Sequence, residues 1–273
     1  MFIEGEKSMF VNENTGHDNS HHEDMTAVLD SEWVKSQSNK VIEGLRTEER
    51  LEDILQKIPG FAEAFQNKMD CLDCSDGRVC SGHKMGLAGV GILLSPEEKQ
   101  ILIKAVKDRG LRVTGHDSCG AAGMAFPGPD SDSHGYDNAR ALAEATGSEY
   151  SEVHKKDFVS PVHNERTLVV DATGRFDCAN WKEFPAQFIS SAPALGLPDS
   201  YIKKEIAALS GIALGDHGLG ERFDAANPFY VIVSADNKET LNHLMGVALD
   251  SLGDFGDRVK VDGFIAPAPV EKE

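Results

Sequence analysis

Positive charge is what this chain has least of. Its 27 Lys and Arg stand against 45 Asp and Glu, a formal net charge of -18 over 273 residues. Such a surface repels polyanions, so neither nucleic acid nor an anionic membrane is expected as a partner. No apolar run approaches the roughly 18 residues that a bilayer span needs. The opening MFIEGEKSMF is acidic where a secretory leader would carry a basic region ahead of an apolar stretch. A cytoplasmic protein is expected. Cysteine is scarce and odd in number, five in all, and Cys71, Cys74 and Cys80 crowd together. A secreted disulfide framework does not have that pattern, whereas metal ligation or thiol chemistry does. The glycines of GLAGVG (86–91) and GDHGLG (215–220) lack the Gly-x-Gly-x-x-Gly spacing, which removes the dinucleotide reading. Arg78 follows Cys74 too closely for a phosphatase-type Cys-x5-Arg loop, and no internal repeat is visible.

What is present reads as an α/β protein. Residues 1–25, polar and bearing His17, His21 and His22, read as a flexible arm, a solvated tail rather than a metal site. The remainder, 26–273, reads as a single α/β domain: a helical arm over 26–68, a core over 69–160 that holds the cysteine cluster, and a C-terminal α/β portion over 161–273. Thr47 is expected to cap a helix whose apolar face is Leu51, Ile54, Leu55 and Ile58, stopped by Pro59-Gly60. Ser95-Pro96-Glu97-Glu98 spells a capping box with proline at the first helical position, and Gly110 ends that helix. Its expected apolar face is Ile101, Leu102, Ala105 and Val106. LRVT (111–114) then reads as a short strand running into GHDSCG (115–120). Helices are expected through DNARALAEAT and PDSYIKKEIAALSG, and a strand at RTLVVDA. The end, FYVIVS, NKETLNHLMGVALDSLG and RVKVDGFI, reads as strand, helix, strand. That alternation predicts a mostly parallel central sheet flanked by helices.

The chemistry concentrates in CSDGRVCSGH (74–83) and GHDSCG. Catalytic zinc takes three protein ligands and keeps a position for water, whereas structural zinc is closed by four. Cys74 at one strand end and His116 and Cys119 at the next supply three such ligands, provided the intervening helix returns the chain to a neighbouring parallel strand. In an extended segment alternate side chains point the same way, so Asp76 and Arg78 are expected beside Cys74, the guanidinium fork holding the carboxylate oriented and ionised. Such a carboxylate can accept a hydrogen bond from a metal-bound water. Cys71 with Cys74 also forms Cys-x-x-Cys, leaving open a closed structural or redox-sensing site with Cys71 as fourth ligand. Cys80 and His83 are expected in a loop, with either as an accidental ligand the alternative, and Cys178 as a small apolar side chain. His217 reads as a loop histidine, with a proton-shuttle role as the sharper alternative.

Cys-x-Asp-x-Arg followed by His-x-x-Cys-Gly, separated by a helix and a strand, resembles the β-class carbonic anhydrases over about residues 70–122. The resemblance implies Zn2+ held by Cys74, His116 and Cys119, with Asp76 and Arg78 as the catalytic dyad. The reaction implied is reversible hydration of carbon dioxide to bicarbonate by zinc-bound hydroxide. It also implies an α/β subunit around a parallel sheet with a helical N-terminal arm, assembled as a homodimer or larger homo-oligomer. The C-terminal strand-helix-strand segment is an addition. The same scaffold allows hydrolysis of a related small electrophile such as carbon disulfide or carbonyl sulfide. The chain departs from the family in the polar NKMDCLDC before the motif and in HKMGLAGVGILL after it, where an Arg-Asn-x-x-Asn-like segment is usual.

Overall fold

A computed structural model describes residues 19–47, 49–79, 82–177, 181–216 and 218–269; His17, Cys80, Cys178 and His217 lie outside them. Helix α1 (Asn19–Gln37) begins inside the segment expected as an arm, and α2 (Lys40–Arg46) and α3 (Leu51–Gln56) follow. Thr47 does not open a helix. Its hydroxyl donates to the carbonyl of Gly44 (2.9 Å) at the end of α2, where a threonine satisfies a free carbonyl as readily as it caps a free amide. The expected apolar face is real: Leu51, Ile54, Leu55 and Ile58 are buried against a cluster with Phe65, Trp181 and Phe264. Helix α4 (Pro96–Arg109) has both arms of its capping box, Glu98 N–H to Ser95 Oγ (3.2 Å) and Ser95 N–H to Glu98 Oε2 (2.8 Å). Gly110 ends it at φ 65°. Leu102 and Val106 are buried, but Ile101 is 39% exposed, so the buried stripe is narrower than the apolar spacing suggests.

The strands form two four-stranded, wholly parallel sheets rather than one. The first contains β1 (Cys71–Asp73), β2 (Lys84–Gly86), β3 (Arg112–His116) and β4 (Tyr150–Val153) in the order β2-β1-β3-β4. The second contains β5 (Thr167–Asp171), β6 (Gln187–Ser190), β7 (Phe229–Ala235) and β8 (Val259–Ile265) in the order β6-β5-β7-β8. Helices α5 (Gly120–Ala125) and α6 (Ser131–Thr146) follow β3, α7 (Asp199–Leu214) follows β6 and α8 (Lys238–Ser251) follows β7. One apolar core joins the sheets, with Leu72 and Val113 of the first and Val170 and Val231 of the second in the same buried cluster. In each sheet the chain leaves the first-formed strand toward one neighbour and returns on its other side. The carboxyl ends of β1 and β3 therefore meet at a point where strand order reverses, the usual place for a site in open α/β sheets.

The equal strand orders disclose a repeat that the sequence hides. Leu72 pairs with Val113 in the first sheet as Val170 pairs with Val233 in the second. In that register Leu-Asp-Cys-Ser-Asp-Gly-Arg (72–78) faces Val-Asp-Ala-Thr-Gly-Arg (170–175), one residue shorter. Gly86 and Ser191 then occupy equivalent places, and they bind each other: Ser191 N–H donates to Gly86 O (2.7 Å), and Gly86 N–H to Ser191 Oγ (3.2 Å). A pseudo-two-fold thus runs where the edge strands β2 and β6 meet. Approach is so close that a Cβ on Gly86 would lie 2.2 Å from the carbonyl oxygen of Ile189, so only glycine fits there. Counting from the register, Ala172, Asp236 and Glu239 stand where Cys74, His116 and Cys119 stand. Arg175, the counterpart of Arg78, pairs with Asp236 (2.5 Å). The second half has the scaffold without the two thiols and the imidazole.

Candidate metal centre

Cys74 leaves the end of β1, His116 is the last residue of β3, and Cys119 caps the short helix α5. Between the last two, Ser118 takes a left-handed φ of 52°, a conformation uncommon for a residue with a side chain. Asp117 secures the turn by accepting from Tyr136 Oη (2.7 Å) and from the Lys155 amide (2.9 Å). The three candidate ligand atoms lie within 4.8 Å of one another, all buried, and could hold a metal ion. Two thiolates on one tetrahedral zinc stand roughly 3.8 Å apart; Cys74 Sγ and Cys119 Sγ are 4.0 Å apart. His116 Nδ1 donates to the carbonyl of Asp117 (2.7 Å), which leaves Nε2 as the lone-pair nitrogen. That Nε2 is buried and has no hydrogen-bond partner. A buried acceptor is seldom left so, and a metal would satisfy it.

Without a metal, the electrostatics favour the ligand form of Cys74 alone. The contact with Cys119 draws Cys74 well below its ordinary pKa, and the same contact together with burial lifts Cys119. Burial opposes protonation of His116, but the Cys74 thiolate outweighs it and raises the imidazole to about 9. Such mutual tension between adjacent soft donors is what a divalent cation relieves. Gly89 N–H donates to Cys74 Sγ (3.3 Å), so the GLAGVG segment does abut the centre. The Gly89 φ of 51° and the nearness of Ile92 leave no room for a side chain there.

Cys74 to Arg78 is a turn and not the extended segment expected from alternation. Asp76 and Arg78 nevertheless come together, because the Arg78 amide donates to Asp76 Oδ1 (2.9 Å) and folds the chain back. Arg78 Nε then reaches Oδ1 (3.0 Å) and Nη2 reaches Oδ2 (2.6 Å), a bidentate clamp. Burial would raise Asp76, but its hydrogen bonds from Arg78 prevail and hold it well below the carboxylate range. The guanidinium lies 5.1 Å from the Phe158 ring centre, and Phe158 also edges His116. Cys71 stands apart: its Sγ contacts Thr114 Oγ1 (3.1 Å), and it is not among the clustered ligand atoms. A site closed by Cys71 is not what the chain builds.

Several contributors carry no signal in the sequence. Lys84 is buried on β2, and its Nζ donates to the carbonyls of Cys74 (3.2 Å), Asp76 (2.7 Å) and Val79 (2.5 Å), fastening the turn from beneath. Glu205 on α7, from the other half, accepts from the Ala88 amide (2.5 Å), Ser75 Oγ (3.3 Å) and Ser190 Oγ, and so holds the segment whose next amide binds Cys74. Burial pushes Glu205 up to about 7 against those hydrogen bonds. His163 and Glu165, between β4 and β5, are buried with Asp76 in a second compact group. A cleft of about 990 Å³ reaches the centre past Phe158, Val162, His163 and Ile212, with Arg78 and Cys119 in its wall.

No family model, curated protein or solved structure matches the chain. Among the described residues no helix is long and apolar enough to cross a membrane.

Proposed function

We propose that this chain is a zinc enzyme that hydrates carbon dioxide reversibly. The observation that carries the reading is the unpartnered, buried His116 Nε2 facing two thiols while a clamped, ionised Asp76 stands alongside. Cys74, His116 and Cys119 would hold the ion and leave one position free. Zinc there supplies a Lewis acid that lowers the pKa of a water toward roughly 7, less far with two thiolate ligands than with imidazoles alone. Asp76 cannot take up a proton while Arg78 clamps it, so it acts only as an acceptor, fixing where one O–H of that water points and hence where its lone pair faces. Arg78 keeps the carboxylate charged and aimed. Phe158 and Val162 give an apolar approach suited to an uncharged linear substrate.

Stopped-flow hydration of carbon dioxide tests the reading. Wild type loaded with zinc is expected to show a rate above buffer that grows toward alkaline pH. Asp76→Asn should retain zinc and lose about 100-fold or more in kcat, the scale of a misaimed nucleophile. A zinc-loaded wild type no faster than buffer overturns the proposal.

A further inference from the structure

His163 and Glu165 belong to neither metal motif, yet they fold against the dyad. His163 Nδ1 lies 3.2 Å from Glu165 Oε2 and 3.3 Å from Oε1, and its Nε2 lies 4.0 Å from Asp76 Oδ2. The ring packs on Phe188, centroid to centroid 5.7 Å. Glu165 therefore fixes the imidazole in the tautomer with hydrogen on Nδ1, and Nε2 is left toward Asp76. The same ring lines the cleft together with Arg78 and Cys119.

Hydration leaves a proton behind. The water oxygen forms the new C–O bond, one O–H bond breaks, and the proton must reach a base outside a buried centre. The groups already described cannot carry it. Asp76 is clamped, Arg78 does not deprotonate, and the two thiols and His116 are committed as ligands. Among the described residues lining the cleft, His163 is the one imidazole. We propose that His163, oriented by Glu165, is the proton-transfer residue of this centre, accepting at Nε2 and passing the proton to a buffer base in the cleft. The assignment rests on the hydration reading above. The charged groups facing the ring are Glu165 from its own segment and Asp76 and Arg78 from the turn after β1. Burial and Arg78 lower its basicity, whereas Glu165 and Asp76 outweigh them and raise it above 6.5.

The test is steady-state hydration by the zinc-loaded full chain in dilute and in concentrated buffer. His163→Ala is expected to lose about 100-fold in kcat in dilute buffer and to keep kcat/KM, because proton removal follows the carbon dioxide step. Added imidazole should restore kcat. Glu165→Gln keeps an acceptor for Nδ1 but removes the charge, so its kcat profile should shift to lower pH with zinc content unchanged. A wild type without hydration overturns the hydration reading and this assignment with it. An active wild type overturns the assignment alone if His163→Ala keeps its kcat in dilute buffer. It does so equally if kcat and kcat/KM fall together without rescue, or if the Glu165→Gln profile does not move.

Discussion

Lys84 offers the sharpest test of how the metal turn is held. Its ammonium is buried, with the residue 1% exposed, and it donates to three carbonyls of the Cys74–Val79 turn at 2.5 to 3.2 Å. Methionine has nearly the same length and flexibility but no donor, so Lys84→Met fills the space and takes the donor from those carbonyls, of which that of Asp76 keeps the Val79 amide (3.2 Å). Hydrogen bonds from a charged donor contribute about 1.5–3 kcal/mol each. They do not add fully, because the variant is also relieved of a buried charge. Leaving a buried acceptor without its donor costs about 1–3 kcal/mol, and with more than one acceptor affected we expect a loss of about 3–5 kcal/mol. At about 2–4 °C per kcal/mol for chains approaching this length, the melting temperature should fall by about 6–20 °C. Differential scanning calorimetry on the zinc-free chain measures this directly. A zinc titration should show weaker binding too, because Cys74 loses its fixed bearing. A variant that melts within about 2 °C of wild type and binds zinc equally well would refute the assigned role.

Two further outcomes follow from the geometry. Cys71→Ser should leave the zinc content at one ion per chain by elemental analysis, since Cys71 contacts Thr114 and the C-terminal half has Ala172 and Asp236 at the ligand positions; loss of metal would restore Cys71 as a ligand. Glu205, raised from 4.5 to about 7 in the fold, holds its proton to higher pH folded than unfolded. Its contribution to stability is thus complete below about 4.5 and lost as pH rises through about 7, a change of up to ~3 kcal/mol. In urea unfolding at several pH values, Glu205→Gln should be flatter than wild type across that window, and parallel curves would disprove the assignment.

What could be read from the sequence divides along the range of the forces involved. Helix α4 is legible because its capping box, its proline and Gly110 act on their own neighbours. Cys74, His116 and Cys119 are legible as a group because two thiols and an imidazole at that spacing suit a metal ion, and the fold does bring the three together. Strands β1, β2, β4 and β6 are three or four residues long and owe their place to the strands beside them, so no local pattern announces them. Lys84 in His-Lys-Met looks like any surface lysine until the turn is folded over it. Glu205 and His163 act across the pseudo-two-fold or between the halves, beyond the reach of spacing. The repeat was hidden because Asp, Gly and Arg are almost all that LDCSDGR and VDATGR share, and a one-residue deletion breaks even that register.

The meeting of Gly86 with Ser191 has a consequence for what this chain is free to become. In an assembly of identical subunits, a substitution made near one centre appears at the other as well, and must be tolerated in both settings. Here the two halves lie in one polypeptide and vary separately. Glu205 could be placed under the N-terminal centre without a matching buried carboxylate elsewhere, and Arg175 could turn to Asp236 at no loss to Arg78. Among the described residues the second half lacks the Cys-His-Cys group, and it can specialise in shaping the other's surroundings.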